Sequence, residues 1–99
     1  MSALDTDSVK RLFHCIASLE SEDECRLFFE DLCTIKELLD MAQRLDAAVL
    51  LDKRENYQTI NRAVGISTAT ISRVKRCLDY GPGGYRIVLD RLKAEEGDE

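Results

Sequence analysis

The chain has no tryptophan, and only one proline and one histidine among its 99 residues. With so little proline, and long stretches free of glycine, almost nothing interrupts helix formation. No apolar run approaches the roughly 18 residues that a membrane-spanning helix requires. The N-terminus has neither an apolar core segment nor a small-residue cleavage site, so it does not read as a secretory signal. Strand-like alternation is nearly missing, and no internal repeat or low-complexity tract stands out. The lone histidine, His14, makes no metal pair with Cys15, because adjacent helical positions point about 100° apart. The four cysteines, Cys15, Cys25, Cys33 and Cys77, are separated by 10, 8 and 44 positions and form no zinc pattern. All four fall in predicted helices, mostly beside apolar residues. They read as small buried hydrophobes of a reducing cytoplasm. No paired carboxylates, activated nucleophile or phosphate loop is recognisable. Gly81-Pro82-Gly83-Gly84 is glycine-rich, but no P-loop lysine follows it. The sequence therefore predicts no enzyme, no catalytic residue and no metal site.

What remains is an ordinary globular balance of 44% apolar and 33% charged residues. A chain of this size buries only about 65% of its unfolded surface, so its core is thin and dimerisation would enlarge it. The net charge of −5 is unevenly spread. Residues 1–52 carry −7, residues 53–76 carry +5, and residues 77–99 carry −3. One basic segment thus sits inside an acidic chain, which would orient that segment towards a polyanion.

Apolar spacing and capping residues predict an all-α protein of five or six helices. Val9, Leu12, Phe13, Ile16 and Leu19 define a first helix over about 6–19. Ser21 with Glu24, and Thr34 with Glu37, are capping-box signatures opening a second helix and a long third helix to about Asp52. The third carries the stripe Ile35, Leu38, Leu39, Ala42, Leu45 and Val49. Shorter helices are predicted over 57–64, 68–79 and 85–94. Residues 1–94 read as one domain, followed by an acidic, frayed tail over 95–99.

Residues 57–79 carry the functional signal. A helix-turn-helix crosses two short helices around a three- or four-residue turn, which demands particular residues at fixed offsets. Gly65 can adopt the left-handed conformation that ends the first helix. Ile66 packs inward, and Ser67 caps the next helix. Ile60 and Val64 face Ile71 and Val74. That leaves Ser67, Thr68, Ala69, Thr70, Ser72 and Arg73 for a DNA groove, with Arg62, Lys75 and Arg76 for phosphates. Asn61 stands where the two helices approach most closely and a small residue is usual. It is read as pointing outward to a phosphate.

From about Thr34 to Leu78 the chain resembles the Trp repressor superfamily, and within it the Trp-repressor-like proteins of the YerC/YecD type. Ala69-Thr70-Ile71-Ser72-Arg73 carries the resemblance, with Gly65 at the turn and Thr34 and Arg44 on the preceding long helix. The resemblance implies an all-α homodimer with interlocked helices. It also implies a ligand site between the long helix and the recognition helix, where tryptophan or another small corepressor is held between two arginines. Arg44 and Arg73 match those arginines, and guanidinium planes stack well on aromatic rings. Thr34 matches a carboxylate-holding position. Val74 and Cys77 replace a glycine and a serine, so they would crowd the ligand and bind an ammonium group poorly.

The expectation is a cytoplasmic transcriptional regulator, dimeric on a two-fold DNA operator whose half-sites lie about 34 Å apart. The alternative is a dimeric helical protein-protein interaction module whose acidic N-terminal helices form the contact surface.

Overall fold

The computed structural model describes residues 2–97, and every regular element among them is helical. The six helices are α1 (Asp7–Ala17), α2 (Glu22–Leu32), α3 (Ile35–Asp52), α4 (Tyr57–Val64), α5 (Thr68–Tyr80) and α6 (Gly84–Gly97). The chain divides into two compact units, one up to Leu38 and the other from Leu39 onward.

In the first unit, side-chain caps set the helix starts. The Thr6 hydroxyl accepts from the Val9 amide at 3.1 Å and opens α1. The Ser21 hydroxyl accepts from Glu24 at 3.1 Å, while the Glu24 carboxylate reaches back to the amide of Glu20, one residue beyond the usual capping-box partner. Thr34 and Glu37 form the complete reciprocal box, at 3.1 and 2.8 Å, and open α3. The rings of Phe28 and Phe29 meet edge to face at 5.8 Å. Neither α1 nor α2 contains a fully buried residue.

The second unit holds the core. Ala47 and Ala48 on α3, Ile60 on α4, Ile66 in the turn, Ile71 and Val74 on α5, and Leu89 on α6 form one buried cluster. Two adjacent alanines lack bulk, so the other helices can approach the α3 backbone closely there. The predicted α3 stripe reaches the core only at its end, where Val49 packs on the cluster with Leu50 and Leu51; Ile35, Leu39 and Leu45 stay exposed, Ile35 at 76%. Periodicity identifies an apolar face, but α4, α5 and α6 cover the neighbouring face of the same helix.

Arg54 ends α3 in the left-handed region at φ 65°. The Arg54 and Glu55 amides donate to the Leu51 and Leu50 carbonyls, both at 3.0 Å, closing a Schellman-type cap. After α5 the Gly81 amide returns to the Cys77 carbonyl, and a Cβ at position 81 would collide with that carbonyl. Helix α6 starts at Gly84 and continues to Gly97, so Glu95 and Glu96, predicted to fray, are helical. Ala94, Glu95 and Glu96 all favour helix, and nothing before Gly97 breaks it. Residues 98 and 99 of that predicted tail lie outside the described residues. The cysteines also depart from expectation. Cys15, Cys25 and Cys77 are exposed, and Cys33 is half-buried at the C-cap of α2. Cys15, Cys33 and Cys77 each have one apolar neighbour in sequence and Cys25 lies between Glu24 and Arg26, so local sequence did not decide their burial.

Candidate nucleic-acid interface

Helices α4 and α5 are joined by a three-residue turn whose geometry follows from local chemistry. Asn56 caps α4, its side-chain oxygen accepting from the Thr59 amide at 2.8 Å. Gly65 ends α4 in the left-handed conformation, φ 81° and ψ 28°, with its amide bonded to the Asn61 carbonyl at 2.9 Å. Ser67 caps α5 through its hydroxyl, which accepts from the Thr70 amide at 3.2 Å. Ile60 and Ile71 are fully buried and Val74 nearly so, while Val64 is half-buried. The turn, its caps and its small core thus occupy the predicted positions.

With Ile71 and Val74 inward, a rotation of about 100° per residue turns Ala69, Ser72, Arg73 and Arg76 outward. All four are exposed, as are Thr68 and Arg62. Among the described residues, Arg62, Arg73 and Arg76 enter no ion pair. Each guanidinium group can fork onto a phosphate or a guanine edge.

Thr70 and Lys75 are placed differently from the other predicted contacts. Thr70 is half-buried on the α3 side of α5, and its hydroxyl lies 3.1 Å from that of Ser67. Lys75 lies on the opposite flank and pairs with Asp79 at 2.7 Å. That contact holds its ammonium above the usual lysine range. It lines a polar cleft with Asp52, Arg54, Glu55, Tyr57 and Arg86.

Asn61 is exposed, but its amide is not free for a phosphate. Its side-chain Nδ2 donates to the Ile66 carbonyl at 2.6 Å, across the turn. The close approach of α4 and α5 is therefore filled by a hydrogen-bonded amide instead of a small side chain. Gln43 of α3 also reaches this region, its Nε2 donating to the Val64 carbonyl at 3.3 Å.

Arg44 and Arg73 meet across an open cleft of about 210 Å³ between α3 and α5, lined also by Asp40, Gln43, Ile66 and Thr70. Two others of the predicted ligand set, Val74 and Cys77, do not line that cleft. Val74 is in the core and does not obstruct the cleft. Cys77 lines a separate apolar cavity of about 440 Å³ with Leu45, Pro82, Gly84, Tyr85 and Val88. Burial there pushes the Tyr85 phenol above its ordinary pKa, and Cys77 adds to the rise. The Thr34 hydroxyl caps α3. Asp40 and Gln43 were missed in the sequence, although spacings of four and one from Arg44 place them on or beside its helix face.

Comparison with known proteins agrees with this architecture. Residues 7–93 match the family described as Trp repressor protein. The YerC protein of Bacillus subtilis strain 168, described as uncharacterized, is 51% identical over 86 residues, covering 87% of this chain and 83% of YerC. The crystal structure of a TrpR-like protein from Eubacterium eligens superposes with a TM-score of 0.88 at 48% identity, over 91% of this chain and 93% of that one. A Staphylococcus aureus protein provisionally described as a Trp repressor gives a TM-score of 0.87 at 40% identity, over 94% and 96% of the two chains.

Proposed function

The chain belongs to the Trp repressor family, whose members are regulators and not enzymes, and on that premise we propose that it is a dimeric, sequence-specific DNA-binding transcriptional regulator. The observation that carries this reading is the outer face of α5. Ala69, Ser72, Arg73 and Arg76 project along the exposed side of a capped helix, and neither arginine is ion-paired with a described residue. Small residues let the helix backbone approach base edges, and Arg73 is long enough to read one. Ser67 and Thr68 stand at the helix N-terminus, where backbone amides suit a phosphate. Arg62 and Arg76 set register on the backbone, whereas Lys75 contributes weakly because Asp79 holds it.

Dimerisation is supported by what this chain leaves uncovered. Phe13, Leu27, Leu32 and Ile35 are all exposed. A second copy would bury these faces and place two α5 helices on successive turns of a duplex. Control by a small effector is supported by the open cleft between Arg44 and Arg73. Two guanidinium groups facing one space suit a ligand with a planar ring or an anionic group.

Selection from a random duplex pool tests the reading. The expected product is a two-fold symmetric sequence with half-sites about 34 Å apart. Recovery of no enriched sequence at low salt would favour the protein-protein module instead. Thermal shift with tryptophan and other amino acids tests the cleft, because a ligand of the native state raises the melting temperature.

A further inference from the structure

We propose that Asn61 and Gln43 form a two-amide clamp that positions α5 for base reading, an inference that rests on the DNA-binding function proposed above. Two carbonyl groups flank Gly65 in this connection, those of Val64 at the end of α4 and of Ile66 in the middle of the turn. Each accepts a hydrogen bond from a side-chain amide of a preceding helix, Gln43 of α3 at 3.3 Å and Asn61 of α4 at 2.6 Å. A carbonyl only accepts, so the NH₂ end of each amide must face it. Asn61 holds the turn twice, because its own carbonyl also receives the Gly65 amide.

The apolar cluster of Ile60, Ile71 and Val74 cannot supply this function alone. Apolar burial is non-directional and tolerates small rotations of one helix on another. Hydrogen bonds are directional and fix the angle. The lever is long: at about 1.5 Å per residue, Arg73 lies about 9 Å along the helix from Ser67. A swing of about 10° at the turn moves it by about 1.5 Å, beyond the roughly 0.5 Å tolerance of a preorganised site. Gln43 and Ile66 also line the cleft between Arg44 and Arg73, so the clamp links that cleft to the turn. Asn61 and Gln43 thus act as positioning residues, through the turn.

The test uses Asn61→Leu and Gln43→Met, which keep size and neutrality but remove the donor. Fluorescence anisotropy measures affinity for the selected duplex and for a scrambled duplex of equal length at one salt concentration. The ratio of the two is expected to fall at least tenfold in Asn61→Leu and several-fold in Gln43→Met. Binding to the scrambled duplex should change less than twofold, and helix content by circular dichroism should persist. An unchanged ratio, or losses on both duplexes that track lost helix, overturns the proposal. Amide hydrogen exchange over residues 65–71 without DNA is expected to quicken about tenfold in Asn61→Leu. Unchanged exchange overturns the clamp even in a chain that binds no duplex. A wild-type chain that selects no duplex removes the positioning role together with the function, whatever the exchange shows.

Discussion

The Asp52 carboxylate accepts two hydrogen bonds from the Arg86 guanidinium, each 3.0 Å long, across 34 residues of sequence. Lys93 adds a third contact to the same carboxylate at 2.8 Å. The last residue of α3 is thereby tied to two turns of α6. Asp52 is largely covered, its side chain 13% exposed, whereas Arg86 and Lys93 remain partly solvated. Arg86 is itself shared with Asp90 at 2.8 Å.

This arrangement sets a pH dependence. Hydrogen bonds from Arg86 and then Lys93 hold the Asp52 carboxyl well below the usual carboxylate range. A carboxyl depressed in the folded state stabilises fully above its unfolded value, about 3.9, and loses that contribution as pH falls towards its folded value. Asp52→Asn should cost about 1–2 kcal/mol at pH 7, a modest figure because its partners are solvent-screened. Urea unfolding should show the deficit constant from pH 8 to about 5 and shrinking below about pH 4. A deficit equally large at pH 3 contradicts the assignment.

Ile71 is fully buried between α3, α4 and α6 residues of the core cluster. Ile71→Ala should lower stability by about 2–4 kcal/mol. Chemical denaturation measures it, and a loss under about 1 kcal/mol would mean the site collapses freely or is not packed as described.

Two left-handed positions predict opposite effects. A Cβ at Gly65 would meet no atom within 4 Å, so Gly65→Ala is penalised by backbone conformation alone, by about 1–2 kcal/mol. Gly65→Asn should cost less, because asparagine tolerates this region. Arg54 holds φ 65° without being glycine, so Arg54→Gly should stabilise by about 0.5–1 kcal/mol. Melting temperatures of the three variants, compared with wild type, check both signs.

The helix-turn-helix was legible in sequence because its determinants are local. Gly65, Ile66 and Ser67 are adjacent, and each has one structural use. Asn61 was misread because spacing says where a side chain starts, not which carbonyl it finds five residues later. The α3 stripe was legible at Val49 and misread at Leu39 and Leu45 for a related reason: they mark an apolar face, but nothing local says which face the later helices cover. The Asp52–Arg86 pair joins residues with no periodic relation, so it left no pattern to read. Of the expected ligand set, Arg44 and Arg73 line one cleft and Val74 and Cys77 do not, because sharing a helix with a cleft residue does not put a side chain on the cleft. Val74 follows Arg73 directly and faces the core for that reason.

The most direct measurement is the affinity of wild type and Arg73→Ala for the selected duplex over a salt series. The account predicts that wild-type binding weakens linearly in log–log form as salt rises. It also predicts that Arg73→Ala loses about 1–3 kcal/mol on the selected duplex and discriminates poorly among base substitutions there. Salt-insensitive binding by wild type, or full affinity and selectivity in Arg73→Ala, would contradict it.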